Sequence, residues 1–204
     1  MRQGIRTAPA FILMLMLLFG CAAGPSRADT KFNDTGNKST YAPLANKSTA
    51  DGTKDIGYTY YSSPLFLIYY PQGWDLEDRH STGAFIFTAP PDHEEDKVLE
   101  QFIIEVWTGN ESSPAEYTDY EMSLSTGKDI ITKKETAKYK GRDAFVLEIE
   151  CPDPDNGIQM FYKTTYFRNG EWVYRLHYAV EKGKLDKYRP IMESILDKFV
   201  IGDY

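Results

Sequence analysis

Hydrophobic and polar positions divide the 204-residue chain into three stretches of different pattern. Residues 11–19 form an uninterrupted apolar run. Residues 22–55 are Ser, Thr, Asn, Asp, Gly and Lys with scattered small residues, and with no periodic apolar positions they cannot offset their ordering entropy. That stretch reads as a flexible tether. β-Prone runs follow at residues 66–70, stopped by Pro71 and Gly73, at residues 83–88 and at residues 101–107. Ser113, Pro114 and Glu116 form a capping box ahead of Tyr117, Tyr120 and Leu124, with Gly127 as a C-terminal stop, so the spacing predicts a helix there.

The last third carries the clearest periodicity. Residues 142–151, 158–168 and 171–179 are β-prone and separated by Asn156-Gly157 and Asn169-Gly170, dipeptides favoured in two-residue type I′ turns. They predict an antiparallel meander, with Pro152 and Pro154 able to lengthen its first connection. With Asn169 and Gly170 as the turn, Phe167 faces Trp172, Thr165 faces Tyr174 and Phe161 faces Tyr178. Tyr166 with Val173, Tyr162 with His177 and Met160 with Ala179 then lie on the other side. Both sides are partly apolar, which predicts helices over both. Leu185, Tyr188, Ile191, Met192, Ile195, Leu196 and Phe199 recur at helical spacing and supply one cover, with Asp186 as a candidate cap and Pro190 tolerable near the first turn. The expected fold is α+β, an α/β/α sandwich with a central antiparallel sheet covered by helices.

The opening segment predicts export. Arg2 and Arg6 precede an apolar run of signal-peptide length, well short of the roughly 20 residues that span a bilayer. Leu18, Phe19, Gly20 and Cys21 resemble a lipobox, the cleavage and lipidation signal of prokaryotic lipoproteins, although Phe19 stands where a smaller residue is usual. This gives residues 1–20 as signal peptide, 21–55 as lipidated Cys21 plus tether, and 56–204 as one domain. A coil of about 34 residues reaches on the order of 30 Å. With Cys21 alkylated, Cys151 is a lone thiol, expected to be buried. Asn33, Asn37, Asn46 and Asn110 begin sequons that matter only where the host glycosylates Asn.

Charge narrows the partners. Asp plus Glu outnumber Lys plus Arg by 30 to 23, and removing Arg2 and Arg6 with the leader brings the charge to about −9. No basic run with interleaved aromatics exists, so nucleic acid is excluded and anionic lipid is not an expected partner. Enzyme signatures are mostly absent: there is no nucleophile elbow or phosphate loop, and His93-Glu94 is followed by Lys97 where a zinc protease has His. Cys151, Tyr162 and His177 fall abreast if both Asn-Gly turns have two residues, but Cys and His are then roughly 9.5 Å apart, too far for an activated thiol. Core packing is the better reading of all three. Asp92, His93, Glu94, Glu95 and Asp96 lie in an expected loop, mainly as a solvated acidic surface, with weak Ca²⁺ or Mn²⁺ binding through Asp92, His93, Glu95 and Asp96 as the metal reading. The abundant Tyr and Trp74, Trp107 and Trp172 either fill the layers between sheet and helices or form a binding surface.

Phe66-x-Ile68-x-Tyr70-Pro71-x-x-Trp74, the 83–87 strand with Ala89-Pro90, Gly141-Arg142-x-Ala144, Asn169-Gly170 and Tyr174-x-Leu176-x-Tyr178-Ala179 before a terminal amphipathic helix resemble the PsbP-like proteins. The resemblance covers residues 58–201 and its motifs describe turns and packed strands. It implies the same sandwich, association of some members with divalent metals, and no established catalytic residues. Photosynthetic members bind a membrane complex, whereas many bacterial and archaeal relatives are lipoproteins. A lipobox and tether before the domain argue against a photosystem role. The expected function is therefore a membrane-anchored extracytoplasmic lipoprotein with a noncatalytic binding or assembly module, not an enzyme, with a protein partner unnamed. The alternatives are an enzyme with a cryptic site and a purely structural envelope protein.

Overall fold

Strand alternation after residue 55 builds two antiparallel sheets. The computed structural model describes residues 56–108, 113–123 and 129–202, without the side chains of Tyr120 and Glu121. Cys21, the tether, the four sequons, Leu124 and Gly127 lie outside the described residues. The strands are β1 (Tyr58–Ser62), β2 (Phe66–Pro71), β3 (Asp75–Arg79), β4 (Ala84–Thr88), β5 (Gln101–Thr108), β6 (Ile130–Tyr139), β7 (Arg142–Pro152), β8 (Gln159–Asn169), β9 (Trp172–Glu181) and β10 (Val200–Ile201). Two helices, α1 (Pro114–Ser123) and α2 (Leu185–Lys198), accompany them. The larger sheet has the order β3-β4-β5-β9-β8-β7-β6 and the smaller one β1-β2-β10.

Register assigns the faces. Phe102, Ile104 and Val106 of β5 lie opposite Tyr178, Leu176 and Tyr174 of β9, and these with Phe85, Phe87, Phe161 and Phe167 make one apolar face. Over it pack Tyr188, Met192, Ile195 and Leu196 of α2 and Phe66, Ile68 and Tyr70 of β2. Aromatic rings seal the contact: Phe66 stacks on Phe199 at 5.4 Å and meets Phe85 edge-on at 5.0 Å, while Phe167 stacks on Tyr174 at 4.8 Å. On the opposite face, Tyr117 of α1 meets Trp107 and Tyr166. The capping box forms as expected, Ser113 N–H donating to Glu116 Oε2 at 2.5 Å and Glu116 N–H to Ser113 Oγ at 3.3 Å.

Each main-sheet face therefore carries a helix, but helices do not cover the sheet as a full sandwich requires. The protein is mostly β, and one layer is shared between α2 and the three-stranded sheet. The β8–β9 register also differs from expectation. Asn169 pairs with Trp172, Phe167 with Tyr174 and Tyr162 with Ala179, so Gly170 and Glu171 are the turn. Positive φ occurs at Gly170 and not at Asn169, the type II′ pattern in which glycine takes the first central position. A shift of two residues preserves side-chain parity, so the face assignments stand. The β7–β8 connection is longer than two residues: Pro152 pairs with Gln159, and the Asp153 carboxylate accepts N–H bonds from Asp155 and Asn156 at 3.0 and 3.1 Å. Asp186 does not cap α2, whose preceding residue, Lys184, also makes no side-chain cap.

Gly83 belongs to a turn rather than to β4. It follows the 3₁₀ turn His80–Thr82, has φ +73°, and its carbonyl accepts Val106 N–H at 2.8 Å. A Cβ at Gly83 would stand 2.1 Å from the Val106 carbonyl oxygen. Gly83→Ala is accordingly expected to lower stability by roughly 2 to 4 kcal/mol through backbone strain and lost β4–β5 contact. Urea unfolding measures it; a loss below about 1 kcal/mol contradicts that close approach.

Candidate functional site

Pairing in the small sheet leaves it two-faced. Tyr61, Ile68 and Phe66 turn toward the larger sheet, whereas Tyr58, Tyr60, Leu67, Tyr69 and Val200 share the outer face by register. Tyr60 and Tyr69 are cross-strand partners with ring centroids 6.1 Å apart, and Val200 is 50% exposed. Beside this face the C-terminus of α2 and the β6–β7 turn leave a cleft of about 590 Å³ lined by Tyr58, Tyr69, Lys140, Arg142, Asp197, Lys198 and residues 199–201. The type I′ turn, with φ of 50° at Lys140 and 80° at Gly141, places Lys140 on the rim.

Three cations converge there. Lys198 Nζ lies 4.4 Å from the Tyr58 ring centroid, a cation–π contact that holds ring and ammonium together. Tyr58 also donates its hydroxyl to Ser194 Oγ at 3.0 Å. Lys140 Nζ donates to the Asp197 carbonyl at 2.5 Å, and Arg142 is fixed by two N–H bonds to Asn169 Oδ1 at 2.9 and 3.0 Å. Asp197 is the one acidic side chain among the lining residues. The geometry brings tyrosine rings, the exposed Val200 and positive charge together.

The Cys151, Tyr162 and His177 alignment does not form. Cys151 pairs with Met160, and His177 pairs with Thr164, whose Oγ1 is 2.8 Å from His177 Nδ1. His177 is buried, and burial followed by the Arg175 charge holds its pKa well below the ordinary value, so the ring is neutral. Burial, then the charges of Asp129 and Asp153, pushes the half-buried Cys151 thiol up to about 11. A thiol so poorly ionised is a poor nucleophile.

The acidic loop finds its cations inside the protein. Lys184 Nζ lies 2.6 and 2.7 Å from the Asp96 carboxylate oxygens, 3.2 Å from Glu100, 3.6 Å from Glu181 and 3.9 Å from Asp92. Asp92 also accepts from Lys187 and from the Tyr188 hydroxyl. The Lys187 bond, then the Tyr188 bond, outweigh burial and lower the Asp92 pKa; the Lys184 bond does the same for Asp96. Glu100 moves the opposite way. Its carboxylate is fully buried with no hydrogen bond of good geometry, and desolvation raises its pKa although Lys184 pulls it down. Burial alone would lower the Lys184 pKa, but the Asp96 and Glu100 bonds win and raise it. The two carboxylates differ because desolvation dominates at Glu100, whereas the Lys184 bond dominates at Asp96. His93 and Glu95 stay on the solvent side, and among the described residues no group of three His, Cys, Asp or Glu side chains is arranged to hold a metal ion, the carboxylates that do gather being centred on the Lys184 ammonium.

Sequence reasoning missed both clusters because their members are distant along the chain. Lys184 and Asp96 are 88 positions apart, and the cleft draws on β1, β2, the β6–β7 turn and α2.

No protein-family profile matches the sequence, and no curated protein matches it. Solved structures do. Cyanobacterial PsbP from Synechocystis sp. PCC 6803 is similar at 15% identity and TM-score 0.52, over 76% of this chain and 98% of that one. LpqN of Mycobacterium tuberculosis, described as involved in cell envelope biogenesis, is similar at 15% identity and TM-score 0.52, over 74% of this chain and 93% of that one. At this identity the likeness establishes the fold, which is PsbP-like.

The Lys184 cluster yields a stability prediction. Lys184→Met leaves Asp96 and Glu100, 3% and 0% exposed, without their ammonium, and is expected to cost about 3 kcal/mol or more in urea unfolding. Adding Glu100→Gln should recover part of that loss by removing the buried charge. A cost under 1 kcal/mol for Lys184→Met, or no recovery, contradicts the ionic latch.

Proposed function

We propose that this chain is an extracytoplasmic lipoprotein, anchored through Cys21, whose PsbP-like domain is a noncatalytic binding or assembly module. The observation that carries the reading is the outer face of the small sheet. Tyr58, Tyr60, Leu67, Tyr69 and Val200 lie on the side turned away from the core, beside Lys140, Arg142 and Lys198. Apolar and aromatic surface grouped in this way is costly to leave in water and typical of interaction sites. The envelope role described for LpqN, which shares the fold, supports placing the module at a cell envelope. Residues 21–55 serve as its tether. The catalytic alternative lacks comparable geometry, since Cys151 and His177 lie on different registers and the imidazole is enclosed.

Cys21→Ser tests the anchor and Tyr69→Ser/Val200→Ser tests the module. The first is expected to release the domain from membranes or to accumulate a precursor. The second should leave anchoring and the urea midpoint nearly unchanged while lowering the yield of chemical cross-links to envelope components. A Cys21→Ser chain that stays in the membrane at mature size, with no lipid on the wild-type N-terminus, contradicts the anchor. An unchanged cross-link yield in the second variant contradicts the assigned face.

A further inference from the structure

We infer that the partner of this face is the anionic membrane surface itself: the anchored domain lies against phosphate-bearing lipid headgroups through the Tyr58–Tyr69–Val200 face and its rim of Lys140, Arg142 and Lys198. The inference rests on the lipoprotein reading above. Its grounds are the local charge, the half-buried tyrosine rings beside the exposed Val200, and the place where the preceding chain joins the domain.

The charge distribution reverses the expectation drawn from composition. The whole chain is acidic, with a formal charge of −7, yet the cleft gathers three cations against the single carboxylate of Asp197. A headgroup layer attracts Lys and Arg within about a Debye length and repels the acidic remainder, so the charge asymmetry acts as a torque that orients the domain.

The apolar component fits the same occupant. Tyrosine rings settle at the level of headgroups, where an apolar body and a polar tip are both satisfied. Val200 and Ile56 are 50% and 46% exposed, and small exposed aliphatics beside rings can reach the acyl boundary. Ile56 is also where the 55 preceding residues join the domain, two positions before Tyr58 of the cleft. In a chain lipidated at Cys21 the tether would thus attach on this side of the domain. Tethering raises the effective concentration of face and membrane to the order of millimolar, so contacts too weak to recruit a free protein suffice to orient an anchored one.

The test uses the full lipidated chain, reconstituted into vesicles of phosphatidylcholine alone or with phosphatidylglycerol at about one third, the fraction being chosen to give a clearly negative surface. In a Cys151→Ala background a fluorophore is placed at Val200→Cys or at Asp155→Cys, the latter exposed in the loop at the far end of β7. Quenching by a headgroup nitroxide lipid is then read at each position. In anionic vesicles the position-200 signal should be quenched at least about threefold more than the position-155 signal, and high salt or Lys140→Glu/Lys198→Glu should remove the difference. Urea midpoints confirm that these variants fold. Vesicle flotation separates the two claims. Chains that float but show equal quenching at both positions overturn this inference and leave the anchor intact, whereas chains that do not float overturn both. Quenching at position 200 that is equal in neutral and anionic vesicles and indifferent to salt overturns the proposed headgroup recognition.

Discussion

The β5–β9 ladder is the constraint on which the rest of the structure depends. Among the described strands it is the ladder that joins the β3-β4-β5 half of the larger sheet to the later meander, and it runs without a register break from Gln101–Ala179 to Thr108–Trp172. β9 is buried from Val173 through Tyr178, so its two faces must both be dry. On one face Tyr174, Leu176 and Tyr178 take the packing of β2 and α2. On the other, Arg175 is met across the strand by Glu105, 2.6 Å away, and His177 by Thr164. Arg175 is 3% exposed, so a slipped register that separated it from Glu105 would leave a buried charge unpaired, which is strongly destabilising.

Because the central strands fill one face with large rings, α2 alone cannot cover it, and the small sheet supplies the remaining layer. Phe66 and Phe199 bring β2 and β10 down onto Phe85 and Phe167, and Tyr174 donates its hydroxyl to the Leu65 carbonyl at 3.0 Å. Covering the core with a sheet rather than a helix has a functional consequence. A strand alternates sides, so every residue buried inward sets its neighbour outward, and Tyr69 and Leu67 are displayed because Ile68 and Tyr70 are needed inside. The ionic latch of Lys184 with Asp96 and Glu100 ties the loop before β5 to the start of α2 at the opposite end of the helix from the cleft. The helix is thereby fixed at both ends, which keeps Lys198 over Tyr58.

Much of the fold was legible in sequence because burial enforces period. The meander, the capping box and the α2 face followed from residues such as Phe167, Ser113 and Ile195, each placed by its neighbours' pattern. The turn at Gly170 was misplaced by one residue because both type I′ and type II′ turns accept an Asn-Gly neighbourhood, and only the backbone φ distinguishes them. Strand β6 was invisible: most of Ile130–Tyr139 is exposed, its lysines suit an open edge, and its strand form comes from pairing with β7 rather than from its own hydrophobicity. The site was less legible than the fold. Asp92 and Asp96 drew attention as a possible metal loop because their anions are adjacent in sequence, while Lys184 and Lys187, which neutralise them, arrive from another element. Nothing local to Tyr58, Lys140 or Lys198 announces that topology makes them neighbours.

The functional reading requires the small sheet to be a fixed platform, locked to the β5–β9 core through its inner face. Native-state hydrogen exchange across increasing denaturant measures this most directly. Slowly exchanging amides of β2 and β9 are expected to open only with global unfolding and with the same denaturant dependence, while the exposed edge β6 exchanges at lower free energy. If the β1-β2-β10 amides instead exchange in a separate, low-energy opening while β5 and β9 stay protected, the outer face is not rigidly presented, and the link from core packing to surface function is contradicted.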